Sequence, residues 1–85
     1  MNNWSFQTKA IHSGISRDSS TGSTTVPIYQ TASFSYPTAD AIADVFNGRK
    51  YGHVYSRISN PTVAALESRL TALENGVGAI ALASG

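Results

Sequence analysis

Residues 60–85, NPTVAALESRLTALENGVGAIALASG, decide the fold, because they read as a helix followed directly by a buried strand. Asn60 is a good N-cap, Pro61 suits the first helical position, and Gly76 follows the last turn. Between them Val63, Leu66, Leu70 and Leu73 recur at spacings of three, four and three, which predicts an amphipathic helix. Glu67, Arg69 and Glu74 are left for solvent. The run Val77-Gly78-Ala79-Ile80-Ala81-Leu82-Ala83 has no polar alternation, as in a parallel strand covered on both faces, and it stops at Ser84-Gly85. Such a strand needs parallel neighbours and crossover helices, and the other residues supply neither. The 85 residues are therefore expected to be the beginning of a larger α/β protein and not to fold or act alone.

Upstream the grammar changes twice. Thr38 can cap a short helix that has Asp40 and Asp44 towards its front and Asn47-Gly48 at its end. Ile42, Val45 and Phe46 share one face of it, and the two aspartates read as exposed charges, with Asp40 favoured by the helix dipole. Before that, Ser13 to Thr25 contains one large apolar residue, Ile15. Val26, Ile28, Tyr29, Phe34 and Tyr36 then stand beside Pro27 and Pro37. Such a segment cannot offset its ordering entropy by itself, so it is either an extended arm or a disordered leader.

Composition excludes several functions. The chain has no cysteine, and His12 and His53 are far apart without helical i,i+4 spacing, so no metal site is expected. A net charge of +1 without a basic stripe gives no nucleic-acid footprint. Met1 to Phe6 lacks the basic and apolar regions of a secretory signal, and Val77 to Ala83 is too short to span a bilayer. A soluble, cytoplasmic protein is the expectation.

Tyr55 and Arg57 are two positions apart, so in an extended segment they project from one face. Together they offer a phenolic hydroxyl and a guanidinium fork, a pairing suited to phosphate. On spacing alone, a strand whose Tyr and Arg simply cover a surface is the favoured explanation. Histidine titrates near neutrality, but structural or surface roles are expected for His12 and His53. Tyr29, Gln30 and Tyr51 are also read as structural.

The neighbouring residues weight the choice. Gly52-His53-Val54-Tyr55-Ser56-Arg57-Ile58-Ser59-Asn60-Pro61-Thr62 closely resembles the signature of the Cys/Met-metabolism family of pyridoxal-phosphate enzymes. That family includes cystathionine synthases and lyases, methionine γ-lyase and O-acetylhomoserine sulfhydrylase. The resemblance runs from about Thr8 through Ile11-His12-Ser13-Gly14, Thr21-Gly22-Ser23 and Val26-Pro27-Ile28-Tyr29-Gln30-Thr31. It continues with Leu73-Glu74-Asn75-Gly76 and closes on Ala83-Ser84-Gly85. Asn75 departs from the glycine more usual before Gly76.

The resemblance implies an α/β fold: an N-terminal arm with a short helix over residues 1–60, then, over residues 61–85, the first helix and strand of the large cofactor-binding domain of a fold-type I transferase. It implies pyridoxal 5'-phosphate as cofactor and a homodimer or homotetramer with active sites shared across the interface. Tyr55, Ser56 and Arg57 would bind the cofactor phosphate in the neighbouring subunit, and Gly85 would open the phosphate-gripping loop of the chain's own site. The family holds its cofactor as a Schiff base with a lysine, and neither Lys9 nor Lys50 lies in that motif, so no catalytic residue is expected within these residues. The implied reaction is γ-substitution or γ-elimination on a homoserine-derived amino acid, with a sulfur donor as second substrate in the sulfhydrylase's substitution. Asp18-x-x-Thr21-Gly22-Ser23 leading into Val26 to Thr31 looks most like O-acetylhomoserine sulfhydrylase, while the segment from Gly52 to Thr62 looks equally like methionine γ-lyase. A reading of another class is a non-catalytic module that docks on a full-length homologue through the arm.

Overall fold

A computed structural model describes residues 3–85; Met1 and Asn2, part of the start read as lacking a secretory signal, lie outside the described residues. Three helices follow in order: α1 (Phe6–His12), α2 (Ala39–Phe46) and α3 (Pro61–Leu73). Two compact units result, one joining the segment that ends at Ile28 to Thr62–Gly85, the other comprising Tyr29–Pro61. The first unit joins two stretches distant in sequence because Ala10, Ser13, Gly14 and Pro27 pack on α3.

In the first unit, α1 was not anticipated, since FQTKAIH has neither length nor an apolar stripe. Its start is set by Ser5, whose hydroxyl accepts from the Thr8 amide. Its end is held from outside. The Arg69 guanidinium on α3 donates from Nη1 to the Ala10 carbonyl at 2.7 Å and from Nε to the Ser13 carbonyl at 3.0 Å. A cation against the last carbonyls of a helix satisfies acceptors that the helix itself cannot. Gly14 lies where only a glycine fits, at φ +77° with its Cα against the α3 backbone at Ser68. Thr62 extends the same seam, donating to the Pro27 carbonyl at 3.0 Å. Thr62 and Arg69, seven residues apart on α3, thus hold the arm.

That arrangement corrects the reading of α3. Arg69 and Glu67 are half-buried and engaged, whereas Val63, Leu66 and Leu70 are exposed. Glu67 accepts from the Ala81 amide at 2.9 Å. The turn after the helix carries Asn75 at φ 53°, the left-handed position that asparagine tolerates better than most residues, and the Gly76 amide closes on the Thr71 carbonyl at 2.9 Å.

The strand expected over Val77–Ala83 is not formed. Among the described residues there is no strand for it to pair with, and Val77, Ile80 and Leu82 are exposed, at 108%, 83% and 79%. A parallel strand depends on hydrogen bonds to neighbours, so the apolar run alone cannot create it. No hydrophobic residue among the described ones is buried.

In the second unit α2 matches its reading. Thr38 caps it by accepting from the Ala41 amide at 3.0 Å, Asn47 is its C-cap, and Gly48 follows at φ 77°. Asp40 occupies the first turn, and Asp44 pairs with Arg49 at 2.8 Å on the surface. The rest of this unit is largely irregular, with an isolated antiparallel bridge between Ser33 and Tyr55. Among the described residues no helix is long and apolar enough to cross a membrane.

Candidate phosphate-binding turn

The bridge places Tyr55. Its flanking bonds run from the Phe34 amide to the Val54 carbonyl at 3.0 Å and from the Ser56 amide to the Ala32 carbonyl at 2.7 Å. Directly after it the chain turns: the Ile58 and Ser59 amides both donate to the Tyr55 carbonyl, at 2.9 and 3.0 Å. Tyr55-Ser56-Arg57 is therefore a bridge residue followed by a turn, not the extended segment that spacing suggested. Turning, not alternation, brings the two side chains together. The Arg57 guanidinium carbon lies 5.3 Å from the centre of the Tyr55 ring, within the range of a cation–π contact.

Both side chains are exposed, Tyr55 at 40%. Among the described residues no carboxylate pairs with Arg57 and no partner takes the Tyr55 hydroxyl. A planar cation and a phenol with free donors, held side by side, fit an anion with several oxygens.

Ser56 is placed differently. Its hydroxyl donates to the Thr31 carbonyl and accepts from the Asn60 amide nitrogen at 3.0 Å, so its one proton is committed inside the unit. Asn60, buried at 6%, also donates to the Tyr29 carbonyl at 3.0 Å. Sequence reasoning took Asn60 for a helix cap alone and missed this anchoring of the turn. Gly85 belongs to the other unit, exposed and with open space where a Cβ would stand.

His53 completes the surroundings of the turn. Its Nδ1 is hydrogen-bonded to the Ser59 hydroxyl at 2.8 Å, its ring lies edge-on to Tyr51 at 5.4 Å, and Phe34 is 6.0 Å away. The His53 carbonyl accepts from the Tyr36 hydroxyl at 2.7 Å. The structural role expected of His53 is thus given particular partners. The loop Asp18–Ser23 is closed by its own backbone, with the Asp18 carboxylate accepting from the Ser20 hydroxyl and from the Thr21 amide and hydroxyl. Those bonds, the Ser20 hydroxyl foremost, hold the Asp18 pKa down at about 2.

With this geometry in view, comparison with known proteins is decisive at the family level. The profile described as Cys/Met metabolism PLP-dependent enzyme matches residues 7–85, and the chain belongs to that family. It is 47% identical over 83 residues to L-methionine gamma-lyase from Pseudomonas deceptionensis, covering 98% of this chain and 21% of that protein. It is 45% identical over 82 residues to O-acetyl-L-homoserine sulfhydrylase from Corynebacterium glutamicum, covering 96% of this chain and 19% of that protein. Among solved structures, an O-acetylhomoserine (thiol)-lyase from Campylobacter jejuni carrying N'-pyridoxyl-lysine-5'-monophosphate is similar, with a TM-score of 0.77 and 37% identity over 89% of this chain and 18% of that one. Cystathionine gamma-lyase from Lactobacillus plantarum, complexed with L-serine, gives a TM-score of 0.74 and 40% identity over 96% of this chain and 19% of that one. The chain spans about a fifth of the length of the curated relatives it matches. Pyridoxal phosphate is the cofactor of the family.

Proposed function

We propose that this chain is the N-terminal part of an O-acetylhomoserine sulfhydrylase, which makes homocysteine from O-acetylhomoserine and a sulfide donor, and that Tyr55 and Arg57 bind the cofactor phosphate. The observation that carries the site is the pinned turn, where the guanidinium lies beside the phenol and, among the described residues, neither meets a carboxylate or a hydrogen-bond partner. When bound, pyridoxal phosphate supplies the electron sink for carbanion chemistry at the substrate. The chain's own residues bind and orient it. Arg57 neutralises charge and offers a two-pronged donor, Tyr55 adds one donor, and Ser56 with Asn60 fixes the turn that carries them. Gly85 opens the loop whose amides grip phosphate in the chain's own site, a role that rests on the family resemblance.

The arm acts on a second subunit in this reading, so Tyr55 and Arg57 serve the neighbour's cofactor within a homodimer or homotetramer. The lysine and the substrate-binding groups then lie outside the present residues. The exposed run Val77–Ala83 fits a strand position in the sheet of the larger domain. The sulfhydrylase assignment draws on the Asp18 to Thr31 segment and on sulfhydrylase relatives at 43–45% identity.

A second reading, methionine γ-lyase, is supported by two relatives of that name at 47% and 49% identity. Assays of the full-length protein separate the two. O-acetylhomoserine with sulfide should yield homocysteine faster than methionine alone releases a thiol. The reverse order selects the lyase, and inactivity in both assays with no cofactor absorbance defeats both.

A further inference from the structure

The second unit contains a clamp that the phosphate-binding reading does not use. Residues 53–59 form a loop whose two ends are His53 and Ser59, and whose tip carries Tyr55 and Arg57. The ends are joined by the bond between His53 Nδ1 and Ser59 Oγ at 2.8 Å, both side chains half-buried. Ser59 is itself tied to the tip, since its amide donates to the Tyr55 carbonyl at 3.0 Å. The other end is fixed too: the His53 carbonyl takes the Tyr36 hydroxyl at 2.7 Å, and its ring is bracketed by Tyr51 and Phe34. A chain of contacts thus leads from the aromatic bracket through His53 and Ser59 to the backbone of the residue that presents the phenol.

We propose that His53 and Ser59 are positioning residues for the Tyr55–Arg57 pair, closing the neck of the loop so that both donors reach one phosphate group. The proposal rests on the phosphate reading above and adds the device that pre-organises it. Donors that are already oriented lose less freedom on binding, so a cinched loop binds more tightly than an open one with the same side chains. The Arg57 stacking on Tyr55 works only while the turn after Tyr55 is kept, and the Ser59 amide is one of the two bonds that keep it.

The clamp predicts discrimination rather than general weakening. Apoenzyme of the full-length protein would be titrated with pyridoxal phosphate and, separately, with pyridoxal, which has the same ring and no phosphate. His53→Leu should lower affinity for pyridoxal phosphate about 3- to 10-fold, the range of one neutral hydrogen bond, and leave pyridoxal affinity unchanged. His53→Asn places an amide where Nδ1 stood and should restore most of the loss. Ser59→Ala breaks the same bond from its milder end and covers the case in which His53→Leu fails to fold. The double variant should be no worse than the worse single one, as expected for two halves of one interaction. Equal losses for both ligands, or no loss for either, would overturn the clamp. Arg57→Ala separates this outcome from the parent reading: if it leaves pyridoxal phosphate affinity intact, the phosphate site falls, and the clamp with it.

Discussion

Gly14 and Gly48 share a backbone angle, φ +77°, in very different surroundings. An alanine Cβ at Gly48 would meet nothing within 4 Å. At Gly14 it would come within 2.6 Å of the Ser68 carbonyl oxygen, 2.8 Å of its carbon and 3.1 Å of the Arg69 nitrogen. All three are backbone atoms of α3, so no side chain can swing aside. Gly48→Ala should therefore cost only the left-handed strain, about 1–2 kcal/mol. Gly14→Ala adds a forced separation of α1 from α3, comparable to overpacking at about 1–3 kcal/mol. The pair should differ by that second amount, a large fraction of the stability of an ordinary domain. Urea titrations of both variants in the full-length protein give the difference, and hydrogen exchange at the Ser13 amide, bonded to the Lys9 carbonyl at 2.9 Å, reports on α1. Equal costs at the two sites, with Ser13 still protected in Gly14→Ala, would refute the close docking of α1 on α3.

Two further outcomes follow from single side chains. The Asp18 carboxyl has a folded pKa of about 2, below its ordinary 3.8, so what it contributes is complete above the ordinary value and is lost as pH falls from there through about 2. A side-chain NMR titration should show that low midpoint, and Ser20→Ala should move it up towards 3.8, because the Ser20 hydroxyl is its strongest partner. Asn60→Ala removes the bonds its amide nitrogen donates to the Tyr29 carbonyl and the Ser56 hydroxyl and should destabilise the second unit by about 1–3 kcal/mol, read as lost exchange protection at the Ser56 amide.

What the sequence disclosed tracks the range of the interactions involved. Helix α2 was legible to its caps because Thr38, Asn47 and Gly48 act within a few residues of where they stand. The start of α3 was legible for the same reason, through Pro61. Helix α1 was not, because its end depends on Arg69, 56 and 59 residues away from the carbonyls it binds. The strand reading of Val77–Ala83 depends on neighbouring strands that these residues do not contain, since an apolar run states a preference that only such neighbours can realise. At the candidate site, Tyr55 and Arg57 were found by residue type, but their geometry was mistaken. The turn that joins them follows a bridge in which residues 32–34 pair with residues 54–56, and that long-range pairing, which places Tyr55, is announced by no local pattern.

The central claim is that Arg57 and Tyr55 grip the cofactor phosphate, and the most direct measurement is the affinity of full-length apoenzyme for pyridoxal phosphate in Arg57→Ala and Tyr55→Phe. Loss of a charged hydrogen-bonding partner, about 1.5–3 kcal/mol, predicts a fall of about 10- to 100-fold for Arg57→Ala. Tyr55→Phe should fall less, by about 3- to 10-fold, the scale of one neutral bond. Wild-type affinity in both variants would contradict the account.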